Sequence, residues 1–196
     1  MARAARGRSG EGGHSQRGAS ALEFALVLPV IVFMIFGIIE TGFIVRDLVS
    51  IRSAAEDGVR SASVAANTPT ADFKILNAVK GHLGIPKSNI VRIVVYKASG
   101  PGVAPSASCK AGAPLSGEQC NVYTAADFNR TSVAFGCKSG GPDLRYCPTN
   151  RGVTISNPDW LGVYVKAQHT GLSGIFNANL TIERTVVLPL ERGASQ

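Results

Sequence analysis

Six residues combine reactive chemistry with an informative position in this chain of 196 residues. Four are cysteines, Cys109, Cys120, Cys137 and Cys147, all inside a Gly/Pro/Ser-rich segment at residues 99–152. An even count in one cluster points to two disulfides in an oxidising compartment. Zinc is the weaker reading, because zinc ligands typically come in pairs two to four residues apart and these gaps are much wider. Of the connectivities open to four cysteines, closing the shortest loops costs the least entropy. Cys109 is therefore expected to bond Cys120, and Cys137 to bond Cys147. The other two residues are Glu23 and Glu40, which bracket a wholly apolar run at residues 24–39 containing Pro29 and Gly37. A carboxylate in a membrane span costs about 2.5–3.5 kcal/mol at mid-bilayer and less near the edge. Glu23 reads either as an edge residue reaching headgroup water or as a functional intramembrane charge. Glu40 reads as a solvated boundary acid, paired with Arg46 or with a partner at the outer face.

Nothing else in the sequence has the spacing of a catalytic or metal site. His14, His82 and His169 are far apart and form no helical ligand pair. There is no Gly-x-Ser-x-Gly elbow, no phosphate-binding loop and no dinucleotide fingerprint. Asp143 and Asp159 read as isolated loop acids. No enzymatic activity and no cofactor are expected. The net charge of +7 comes from 20 Lys and Arg against 13 Asp and Glu. Part of it sits at Arg3, Arg6, Arg8 and Arg17, and no later stretch sets basic residues beside aromatics. Nucleic acid is therefore not an expected partner.

The elements that position these residues follow from composition and period. Residues 1–18 are mostly Gly, Arg and Ser and form a basic leader that cannot bury a core, so disorder is expected. Residues 19–46 meet the requirement of about 20 apolar helical residues for a bilayer core of about 30 Å. A basic start and apolar centre also occur in cleaved secretory signals. Here, however, the centre is long and no Ala-x-Ala site follows it, which favours a retained anchor. The four arginines then stay in the cytoplasm by the positive-inside rule. Residues 47–196 become an extracytoplasmic domain, where disulfides form.

The helix is expected to continue through residues 48–66, with Leu48, Ile51, Ala55, Val59, Ala62 and Ala66 at helical spacing. Its small-residue face allows close approach, the chain's own sheet being the simplest partner. Pro69 then excludes helix at the residue before it. A second helix over residues 69–83 starts with Thr68 as cap and Pro69 in its first turn, and ends at Gly84. Its apolar stripe is Phe73, Leu76, Val79 and Leu83. Strands are expected over residues 90–96, 161–167 and 180–188. No crossover helix separates the last two, so the sheet is antiparallel. Tyr96, Trp160, Tyr164 and Phe176 read as core or half-buried strand residues. The fold class is α+β: a long membrane-spanning helix that continues outside, a short helix, and a small antiparallel sheet with a long disulfide-tethered loop.

Three stretches carry a resemblance. Gly18-Ala19-Ser20-Ala21-Leu22-Glu23-Phe24-Ala25-Leu26-Val27-Leu28-Pro29 leads into Phe36-Gly37-Ile38-Ile39-Glu40-Thr41-Gly42-Phe43, and Ala54-Ala55-Glu56-Asp57-Gly58-Val59-Arg60-Ser61-Ala62 follows. Polar and special residues recur in order through an apolar background, which an ordinary anchor does not require. Over roughly residues 17–66 the chain resembles the TadE-like family of the tight-adherence (Tad/Flp) pilus systems. The resemblance implies a pilin-like membrane subunit, a minor pilin or pseudopilin. It implies as partners membrane lipid, the major pilin, companion pseudopilins, an inner-membrane assembly platform and a prepilin peptidase. It also implies cleavage between Gly18 and Ala19, with Glu23 pairing with a neighbouring subunit's new α-amino group and Phe24, Pro29, Gly37 and Glu40 lying in the assembly helix. The alternative is a membrane-tethered adhesion or binding domain whose cysteine loop meets an external partner.

Overall fold

A computed structural model of the chain describes residues 14–65, 67–154, 156–171 and 179–191, with side chains from Ala19 onward except at Asn179. Residues 1–13 of the expected leader and Phe176 lie outside the described residues. The first element, α1 (His14–Ala65), is one α-helix of 52 residues with Pro29 inside it. At 1.5 Å per residue it is about 78 Å long. It begins before Ala19, so residues 14–18 are helical where composition led one to expect disorder.

The two halves of α1 meet different surroundings. From Ala19 to Ile39 its residues are exposed, apart from half-buried Gly37. From Ile51 onward, Ile51, Ala54, Ala55, Val59, Ala62 and Ala65 are buried, a spacing of three and four that makes one continuous face. The second helix, α2 (Ala71–His82), lies across that face. It starts two residues later than expected: Thr70, not Thr68, is its cap residue, and it makes no side-chain capping bond. Its buried side is Ala71, Asp72, Ile75, Leu76 and Val79, so Phe73 and Leu83 sit at its margin. Gly58 sets how closely the helices approach, because a Cβ there would lie 2.7 Å from Val79 Cγ2. Arg46 and Ser50 of α1 hold the far end of α2. Arg46 Nη2 donates to the Gly84 carbonyl at 2.7 Å, and the Gly84 N–H donates to Ser50 Oγ at 2.6 Å. A cation at the end of a helix also complements the dipole there.

The sheet consists of β1 (Ile90–Ala98), β2 (Cys120–Tyr123), β5 (Trp160–Thr170) and β6 (Asn179–Pro189), in the order β2-β1-β5-β6 with every pair antiparallel. A separate two-stranded ladder joins β3 (Val153–Thr154) to β4 (Asn157–Pro158). Ile93 and Val95 of β1 and Leu161, Val163, Val165 and Ala167 of β5 join α1 and α2 in the main core. Val94, Tyr96, Ala98 and Tyr164 point the other way into a second cluster containing Cys109 and Cys120. Burial on both faces explains why β1 reads as a nearly unbroken apolar run rather than an alternation. The short helix α3 (Ala107–Ala111) and the loop around it cover that second face. Opposite Tyr96 in the register stands Gly162, where a Cβ would overlap the tyrosine ring. The ring lies across the glycine, and its hydroxyl donates to the Val103 carbonyl.

The disulfides are Cys109–Cys120 and Cys137–Cys147, as loop closure leads one to expect. Each closes a loop of about ten residues and restricts the unfolded chain by roughly 3 kcal/mol. The β2 strand was not expected. Four residues beside a Gly/Pro-rich stretch give no period, and pairing with β1 supplies the order.

Because Gly58 and Gly162 accept neighbours where a Cβ belongs, Gly58→Ala and Gly162→Ala should each destabilise the domain by about 1–3 kcal/mol through overpacking. Gly81→Ala is the control. It is helical with open space around it, so it should be neutral or stabilising by up to about 1 kcal/mol. Thermal unfolding in detergent micelles measures all three.

Candidate functional site

The expected assembly residues lie along the exposed half of α1. Glu23 and Pro29 are exposed, and Phe24 is 62 % exposed. The helix from Ala19 carries a segment of mean hydropathy 2.7 with none of it buried within the fold. Lipid suits such a surface, since the helix satisfies its own backbone groups internally. Water does not, because a contiguous apolar surface of this length calls for a covering medium or partner. Thr41 Oγ1 donates to the Gly37 carbonyl at 2.8 Å, satisfying the hydroxyl within the helix.

Glu40 departs from the sequence reading. It is not a solvated boundary acid but only 6 % exposed, and Arg46 is engaged with Gly84 instead. Its Oε1 lies 3.8 Å from Nε2 of His169, while His169 Nδ1 is 2.6 Å from Asp47 Oδ2. Glu40 and Asp47, seven residues apart, share one face of α1 after two turns, and the end of β5 places the imidazole between them. That ring sits between two carboxylates and ties the end of the sheet to the helix at the edge of the apolar run. No sequence signal pairs His169 with a helix 122 residues away. The seven-residue spacing of the acids was the only trace.

A second polar cluster holds the cysteine loop. Asp72, in the first turn of α2, is fully buried and accepts from Arg151 Nη2 at 2.5 Å, Tyr123 Oη at 2.6 Å and Asn121 Nδ2 at 2.8 Å. Asn121 also donates to the Tyr146 carbonyl and accepts from the Tyr146 N–H, both at 2.8 Å. The Arg151 guanidinium lies over the Tyr146 ring at 4.4 Å. Asp143, read as an isolated acid, is fully buried and accepts the N–H groups of Gly136 and Cys137. Asp159 likewise accepts from Gly152 N–H and pairs with Lys97 at 2.8 Å. These two acids fasten irregular backbone six or seven residues away, within loops that show no period and so leave no motif.

Among the described residues, metal ligation finds little support. Cys109, Glu118 and Cys120 lie close together, but the two sulfurs are bonded to each other. Glu118 is occupied by the hydroxyl of Ser108 and the N–H of Leu115. Those bonds, with that of Ser106, hold its carboxyl below the usual range.

The four tyrosines, Tyr96, Tyr123, Tyr146 and Tyr164, are all buried. Burial pushes each phenol above its ordinary value, and for Tyr123 the Asp72 carboxylate adds to the shift. A raised folded value means that the stability contributed by the neutral phenols is complete below about pH 10, the unfolded value. It is lost as pH rises further, because only the unfolded chain ionises readily. The phenolate absorbance should therefore stay low at pH 10 and rise together with unfolding. A titration complete near pH 10 in folded protein would contradict this burial. Arg151→Met should cost about 3–5 kcal/mol, because it leaves Asp72 buried without its counter-charge; chemical denaturation measures it.

Compared with known proteins, residues 18–60 match the family described as TadE-like protein. No curated protein and no solved structure matches the chain. The matched segment contains the exposed half of α1, Glu40 and Asp47, and the buried face through Gly58. The resemblance read from the sequence thus holds over this segment, and residues 18–60 make up the TadE-like part of the chain.

Proposed function

We propose that this protein is a structural or assembly subunit, a minor pilin or pseudopilin, of a Tad-type pilus. The observation that carries the reading is the continuity of α1. The TadE-like segment is exposed and apolar at its start and forms the core of a folded domain at its end, with no break between. Such a helix can leave the bilayer by exchanging lipid for the helices of neighbouring subunits, without rearranging its domain. The N-terminus is cytoplasmic and the domain extracytoplasmic, a topology that suits the two disulfides. The partners are lipid, the major pilin, companion pseudopilins, the inner-membrane platform and a prepilin peptidase.

Processing between Gly18 and Ala19 belongs to the same proposal. The helix runs through this bond, so a peptidase must unwind its first turns. A glycine there lowers helix stability by about 1 kcal/mol relative to alanine, which favours unwinding at that point. Cleavage leaves an α-amino group about one turn from Glu23, about 6 Å along the axis. Opposite charges at the edge of a low-dielectric medium attract more strongly than in water. A neighbouring subunit displaced along the axis then neutralises both.

Mass spectrometry of protein from native, peptidase-competent membranes should find Ala19 as the mature N-terminus; an intact Arg17–Gly18–Ala19 peptide refutes cleavage. Glu23→Ala should abolish or strongly reduce surface fibres while leaving membrane insertion unchanged, since losing a carboxylate makes the span more apolar. Fibres at the normal level in that variant would refute the assembly role. Normal fibres after deletion of the whole protein would favour a membrane-tethered binding domain instead.

A further inference from the structure

We propose that the end of the sheet carrying His169 is seated in the phospholipid headgroup layer, with Arg46 and Lys87 facing lipid phosphates. This rests on the reading of α1 as a membrane anchor and adds the depth and orientation of the domain. The apolar run ends at Ile39, and the next residue, Glu40, is already buried beneath His169. No stalk therefore separates the hydrocarbon from the fold. The headgroup layer adds about 5–7 Å on each side of the hydrocarbon, which at 1.5 Å per residue covers roughly residues 40–44 of an upright helix. His169 contacts Glu40, at the base of that layer, and Asp47, just beyond it, so this end of the sheet lies within the layer.

The strand β5 runs towards the membrane, and its last residue, Thr170, lies beyond His169. Thr170 Oγ1 accepts from Asn89 Nδ2 at 3.2 Å, which brings the 3-10 turn Lys87–Asn89 to the same level. Charge at this level is sorted. The acids Glu40 and Asp47 turn inward to His169, whereas Arg46 and Lys87 are exposed. Leu180, opposite His169 in the register, is 43 % exposed beside the helix. Outward cations with an apolar residue next to the emerging span suit a layer of lipid phosphates over hydrocarbon, where a long basic side chain keeps its head in the polar region. The continuity of the helix with the anchor places them where the chain leaves the hydrocarbon.

The test uses the full chain in vesicles. Both native cysteine pairs are disulfide-bonded, so a single introduced thiol carries the label. Ser88→Cys marks the seated end, Ser99→Cys marks the far end of β1, and Val30→Cys marks the span. Vesicles of phosphatidylcholine and phosphatidylglycerol contain lipids bearing a nitroxide quencher on the headgroup or on the acyl chain. The label at position 88 should be quenched several-fold more strongly by the headgroup nitroxide than the label at 99, and the label at 30 by the chain nitroxide. No quenching at 30 would refute the anchor reading itself. Quenching at 30 with equal signals at 88 and 99 would refute the seating alone. Replacing phosphatidylglycerol by neutral lipid, or Lys87→Gln, should weaken quenching at 88. An unchanged signal under both changes would overturn the assignment of the cations to lipid phosphate.

Discussion

Everything in this molecule depends on one helix being solvated twice. The first half of α1 has no protein around it and needs an apolar medium. The second half has so little side-chain volume, at Ala54, Ala55, Gly58 and Ala62, that α2 and the sheet can press against it. A transmembrane helix joined by a flexible linker would need neither the small residues after the span nor the acids at its edge. Because backbone hydrogen bonding continues through the boundary, the orientation of the domain is fixed by the helix axis. On the proposed assembly role, lateral packing of the helix also sets how the domains are arrayed.

Three polar fastenings hold the domain together around that helix, one exposed and two buried. Arg46 and Ser50 tie down the end of α2. His169 pairs with Asp47 and lies close to Glu40 at the edge of the apolar run. Asp72 gathers Arg151, Tyr123 and Asn121, linking α2 to the edge strand and the cysteine loop. An isolated charge at either buried site would cost several kcal/mol. The disulfides act differently, by restricting the unfolded loop. The long segment between β1 and β5, which lacks regular structure over much of its length, is ordered by this combination of a buried ionic hub and two short covalent loops.

The sequence announced whatever depends on local period or loop length: the long helix, the second helix, three of the four main strands, their antiparallel arrangement and both disulfide pairings. It was silent where tertiary contact decides. The strand Cys120–Tyr123 is too short to show an alternation, and its order comes from β1. The buried side of α2 includes Asp72 because Arg151, 79 residues away, neutralises it; hydrophobicity alone instead favoured Phe73 and Leu83. Glu40 looked like a solvated boundary acid because nothing near it in sequence reveals His169. The exposed positions of Glu23, Phe24 and Pro29 were legible, since on a helix stretch with no protein packed on it position along the chain is position in space.

The central claim is that membrane helix and domain core form one unbroken rod. Hydrogen–deuterium exchange on the full-length protein in lipid nanodiscs tests it most directly, followed peptide by peptide across residues 36–50. A continuous rod predicts slow exchange throughout that window, comparable with the lipid-embedded residues before it and the buried face after it. Fast exchange confined to residues 40–47, between two protected flanks, would show a hinge at the membrane edge and contradict the account.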